Sequence, residues 1–161
     1  MTMTVDLVAL LKEKDLFSRV PDDDLRKLIQ AGEEISYAAG ERIIRQDDLN
    51  ESLYVIVNGR VEIDIEDVTT ITSRGPGHVI GEMSMISEAP RSANCNALTD
   101  VTVIQISHTV FRRYMETMPG LAVGLLYETV RHLDDTVDEL YRMSRHIREL
   151  EAAIASASLK K

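Results

Sequence analysis

The sequence is poor in the residues that support redox and metal chemistry. Its 161 residues include one cysteine, Cys95, which excludes an internal disulfide and any cluster of thiolates on a metal, since each needs several sulfurs. The histidines His78, His108, His132 and His146 form no His-x-His pair. No Gly-x-Ser-x-Gly elbow or Asp/His cluster accompanies them, so the sequence indicates neither a metal-dependent β-barrel enzyme nor a phosphodiester hydrolase. Basic residues are also scarce, 18 against 27 acidic ones, for a net charge of −9. Residues 1–119 carry 20 acids and 12 bases, and residues 120–161 carry 7 and 6. Neither part has the basic stripe that counterion release requires, which argues against direct nucleic-acid binding. There is no run of 18 apolar residues, and Met1-Thr2-Met3-Thr4-Val5-Asp6 lacks the basic flank and apolar core of a signal peptide. The expectation is a cytoplasmic protein without membrane insertion.

What is present suits one compact domain plus a long terminal element. Apolar residues at helical spacing between 5 and 16, then Pro21 followed by three aspartates, predict two short helices at the start, the second ending at Gly32. From Ile35 to Ile106 the pattern changes to short apolar alternations: 42–45, 53–57, 61–65, 68–71 and 101–106. Val61-Glu62-Ile63-Asp64-Ile65 alternates strictly, with one face for a core and one for water. So many short strands, punctuated by Asn58-Gly59 and Gly75-Pro76-Gly77, predict a mainly β fold, a double-stranded β-helix (jelly roll or β-roll) with flanking helices.

Helical character returns at about His108 to Glu116, and again after Pro119-Gly120 in one segment running to about residue 157. Leu126, Val130, Leu133, Val137 and Leu140 are spaced 4, 3, 4, 3; after a three-residue step Met143, Ile147, Leu150, Ile154 and Ala157 repeat that spacing. The first half of such a stripe suits packing on the helix's own β-domain as well as it suits a partner. A helix of about 35 residues spans roughly 50 Å, however, more than one small domain covers. The distal half therefore predicts a parallel homodimer. The domain expectation is a β-roll with N-terminal helices over 1–120 and a long dimerisation helix over 121–161.

The most specific stretch is Gly81-Glu82-Met83-Ser84-Met85-Ile86-Ser87-Glu88-Ala89-Pro90-Arg91-Ser92-Ala93. A glycine that lets backbone approach a ligand, a short helical turn opening with an acid, and an arginine ten residues later together make an anion site. The stretch resembles the phosphate-binding cassette of the cyclic nucleotide-binding domain family. Gly40-Glu41-Arg42-Ile43-Ile44, Leu53 to Val61 and Gly75-Pro76-Gly77 resemble that family's strand and turn signatures, so the resemblance covers about residues 10 to 140.

The resemblance implies that Arg91 pairs with a cyclic phosphate, Glu82 accepts from a ribose 2′-hydroxyl, and the amides of Gly81, Glu82, Met83 and Ser84 complete the cage, with Ser92 and Ala93 beside them. A guanidinium fork suits a phosphodiester, and a carboxylate suits a ribose hydroxyl. The pattern is nearest to the sensor domain of bacterial cAMP-receptor transcription factors, without a DNA-binding domain. In that alignment Thr136 meets the position whose hydroxyl contacts the base. Three departures bear on the fit: Asp47 replaces a turn glycine, His78 replaces an acid, and Val137 replaces a polar residue beside the base reader. Arg91 is expected to stand in a water-open site, so that its truncation costs affinity and not stability. The implied function is a stand-alone receptor for cAMP, ahead of cGMP, with no cofactor and no catalysis, signalling to an unidentified protein effector. The alternatives are a dimeric adaptor that ignores cyclic mononucleotides and a receptor for another nucleotide such as a cyclic dinucleotide.

Overall fold

The computed structural model describes residues 2–65 and 72–158, which separate into two compact units, Met1–Leu126 and Tyr127–Lys161. The first opens with three helices, α1 (Thr2–Lys12), α2 (Asp15–Ser18) and α3 (Asp22–Gln30). The sequence indicates two; the extra turn is Asp15-Leu16-Phe17-Ser18, whose Leu16 and Phe17 are buried. Strands follow as β1 (Glu33–Tyr37), β2 (Arg42–Ile44), β3 (Leu53–Asn58), β4 (Val61–Asp64), β5 (Thr72–Arg74) and β6 (Val79–Ile80). Next come the helical turn α4 (Glu82–Ser87), strands β7 (Asn94–Ala97) and β8 (Val101–Ile106), helix α5 (His108–Thr117) and helix α6 (Pro119–Ser158). The expected strand at 68–71 lies outside the described residues.

Two antiparallel sheets, ordered β1-β8-β3-β6 and β2-β7-β4-β5, form the β-roll. They enclose one core built from both: Ile44, Tyr54, Ile56, Val61, Cys95 and Val103 are among its buried residues. A second core joins the first sheet to the helices, through Leu11, Phe17, Leu25, Leu53, Val55, Ile106 and Phe111. This explains why Leu53-Tyr54-Val55-Ile56 reads as a continuous apolar run. Leu53 and Val55 serve the helix-side core, while Tyr54 and Ile56 serve the core between the sheets. A strand buried on both faces loses its alternation. In β4 the alternation survives. Val61 and Ile63 pack inward, while the Asp64 carboxylate accepts from the amides of Asn94 and Asn96 on β7.

Helix α6 begins in the first unit. Leu121 and Leu125 are buried in the helix-side core, and Gly120 and Gly124 lie against the carbonyl oxygens of Arg19 and Leu16, where a Cβ would collide. From Tyr127 the helix forms the second unit. Its apolar stripe is exposed along its length, Leu140 at 61% and Ile154 at 66%.

Candidate functional site

The stretch from Gly81 to Ala93 lies on the first unit and opens with the helical turn α4. Gly81 caps α4 with φ of 84°, a left-handed conformation that L side chains rarely adopt. A Cβ at Gly81 would also strike the Nη1 atom of Arg91 and lie 3.0 Å from the Ser52 carbonyl oxygen. The far end is held by the turn after β2. Asp47 takes φ of 67°, the left-handed geometry that aspartate tolerates, and its amide donates to the Arg91 carbonyl at 2.9 Å. The Arg91 amide donates to the Asp48 carbonyl at 3.0 Å, and the Gln46 amide donates to Asn94 Oδ1 at 2.9 Å. Asp47, a departure from the family's glycine, thus takes a backbone conformation that glycine adopts freely.

Arg91 is 3% exposed, which corrects the expectation of a water-open arginine. Its Nη1 donates to the Gly81 carbonyl at 2.8 Å and to Ser84 Oγ at 2.6 Å, and its Nη2 donates to the Ser52 carbonyl. Its Nε is buried with no hydrogen-bond partner among the described residues. Burial lowers the guanidinium's pKa from its ordinary value, opposed by neighbours that include the Glu82 and Asp48 carboxylates, and the group stays cationic at neutral pH. Burying a cation is costly unless it is paired, so the unspent Nε donor singles out Arg91 within the loop.

The expected residues divide accordingly. Gly81, Ser84 and Arg91 are bonded together, and Glu82 is buried. Met83 is half-exposed, Ser92 is exposed and Ala93 is partly buried. Thr136 belongs to the second unit, where its hydroxyl donates to the His132 carbonyl of its own helix at 2.8 Å. Ser52, Asn50, Tyr54 and Gln105 join the site without a sequence motif to mark them. Asn50 Oδ1 accepts from the Ser52 amide at 2.9 Å, and Gln105 Nε2 donates to Ser52 Oγ at 2.9 Å. Burial raises the Tyr54 phenol's pKa, opposed by the charge of Arg91. Cys95, also close to Glu82 and Arg91, has its thiol pushed up to about 12, chiefly by burial. An open groove of about 280 Å³ lined by Tyr37, Asn58, Asp100 and Thr102 lies at the opposite ends of β3 and β8 and includes no residue of the Gly81–Ala93 loop.

The β-roll thus carries a glycine-capped helical turn whose Gly81 carbonyl and Ser84 hydroxyl accept from a buried arginine. This chain belongs to the cyclic nucleotide-binding domain family, whose model matches residues 34–118. Among solved structures it is similar to the catabolite activator protein of Thermus thermophilus, at 25% identity and a TM-score of 0.74, covering 81% of this chain and 63% of that one. It is also similar to a cyclic nucleotide-binding-like protein of Brucella abortus, at 31% identity and a TM-score of 0.59, covering 69% and 98%. A curated relative, the cAMP-dependent protein kinase regulatory subunit of Yarrowia lipolytica, is 30% identical over 100 residues, 62% of this chain and 26% of its own length. The chain thus spans about a quarter of that relative. Among the described residues no helix is long and apolar enough to cross a membrane.

Proposed function

We propose that this chain is a receptor for a cyclic purine mononucleotide, cAMP ahead of cGMP, which binds without turnover and signals to a protein effector. The observation that carries the reading is the Arg91 guanidinium, buried beside Gly81, Ser84 and Glu82 with its Nε unpartnered. In this reading Arg91 takes the cyclic phosphate, Glu82 the ribose 2′-hydroxyl, the amides of Gly81 to Ser84 complete the cage, Ser92 and Ala93 flank it, and Thr136 contacts the base. The preference for cAMP is supported by the name of the Yarrowia relative. Residues 121–161 act as a dimerisation helix, for which the exposed apolar stripe provides support, and nucleotide binding biases the arrangement of that helix.

An adaptor reading has one observation in its favour. Three protein oxygens already receive the Arg91 guanidinium, as they would if the arginine had become purely structural. Melting of nucleotide-stripped protein with cAMP, cGMP, a cyclic dinucleotide and 5′-AMP separates the readings, because a ligand that binds only the folded state raises the midpoint. The receptor reading predicts a rise with cAMP and a smaller one with cGMP. A rise only with the dinucleotide reassigns the ligand, and no rise with any of the four supports the adaptor.

A further inference from the structure

We propose that Ser52 and Gln105 are positioning residues that hold Arg91 with one edge of its guanidinium turned to the ligand phosphate. The inference rests on the cyclic nucleotide reading above and adds to it a part of the site on β8 that does not touch ligand.

A guanidinium has five N–H groups in a fixed plane. Both Nη1 donors are spent on Gly81 O and Ser84 Oγ, one Nη2 donor is spent on Ser52 O, and Nε is unspent. Nε and Nη2 share the edge of the fork that presents two parallel N–H groups to an oxyanion. The bonds to protein therefore leave Nε and one Nη2 N–H without a protein partner, and the Ser52 carbonyl is the acceptor that fixes Nη2.

Ser52 is itself fixed at three atoms. Its amide donates to Asn50 Oδ1, its hydroxyl accepts from Gln105 Nε2, and its carbonyl accepts from Arg91. Gln105 stands opposite Tyr54 in the β3–β8 register. It shares the strand parity of Val101 and Val103, which pack in the core between the sheets. Gln105 follows these two valines where the strand is only partly buried, and its bond to Ser52 ties the first sheet to the arginine through a single residue.

The test measures binding of cAMP and of its two diastereomeric phosphorothioates, in which sulfur replaces one or the other exocyclic oxygen. Wild type should bind cAMP and distinguish the diastereomers, because a chiral site presents different donors to the two exocyclic oxygens. Gln105→Leu should weaken cAMP about 3- to 10-fold, the scale of one hydrogen bond, and should narrow the diastereomer ratio. Ser52→Ala, which keeps the carbonyl and removes the hydroxyl that Gln105 holds, should act in the same direction and covers the case in which Gln105→Leu fails to fold. In an Arg91→Lys background neither substitution should have further effect. If wild type binds and both variants keep the ratio, or weaken both diastereomers equally with the loss persisting in Arg91→Lys, the positioning role is overturned while the receptor reading stands. If wild type binds no cyclic nucleotide, both are overturned.

Discussion

At the scale of single residues, the proposed function gives Arg91 a part in both stability and binding. Removing a buried donor group strands the oxygens it served, at about 1–3 kcal/mol, so Arg91→Ala should lower the free energy of unfolding by that amount in a urea titration. The same variant should lose cAMP affinity about 100-fold or more, since a charge-assisted pair contributes about 3 kcal/mol. Unchanged stability would mean that the three bonds to Gly81, Ser84 and Ser52 contribute nothing. Cys95 makes a separate prediction. Its folded thiol pKa, about 12, lies above the unfolded value near 8.5, so the folded state favours the neutral thiol. The stability this confers is present below about pH 8.5 and declines as pH rises towards 12. Alkylation of Cys95 at pH 8 should therefore be slow in native protein and fast in urea, and equal rates would contradict its burial. The cassette residues were legible in the sequence because glycine, glutamate and arginine carry chemistry at fixed spacing. Ser52 and Gln105 were not, because a serine in a loop and one polar residue on a strand acquire meaning only when folding brings them to Arg91.

At the scale of elements, legibility followed patterning. Strands β3, β4 and β8 were readable because valine and isoleucine dominate them. Strand β7, Asn94-Cys95-Asn96-Ala97, was not, because asparagine disfavours strands; here Asp64 across the ladder satisfies both asparagine amides. Strands β1, β5 and β6 are too short or too polar to show a period. The start of α6 hides a second device, Gly120-x-x-x-Gly124, which lets that helix lie against the backbone of Leu16 and Arg19. Helix propensity alone would make Gly124→Ala stabilising by about 1 kcal/mol. The collision with the Leu16 carbonyl reverses the sign, so the variant should melt below wild type by differential scanning calorimetry. A higher midpoint would show that α2 yields to the methyl group.

At the scale of the whole molecule, two features meet a partner in the proposed function: Arg91 an anion, and the exposed apolar stripe from Leu126 to Ile154 a second copy of the helix. Leu140 lies near the centre of that stripe and is 61% exposed. Leu140→Asp should shift sedimentation towards monomer with the β-roll's melting midpoint unchanged, and an unaltered species would remove the stripe from the interface. The receptor reading also requires ligand to favour one arrangement over another, so hydrogen exchange along α6 should differ with and without cAMP. The central claim is that Arg91 belongs to a nucleotide site, and calorimetric titration of nucleotide-stripped wild type and of folded Arg91→Ala with cAMP tests it most directly. The account predicts saturable binding by wild type and its loss in the variant. Equal binding by the two proteins, or none by wild type, would contradict it.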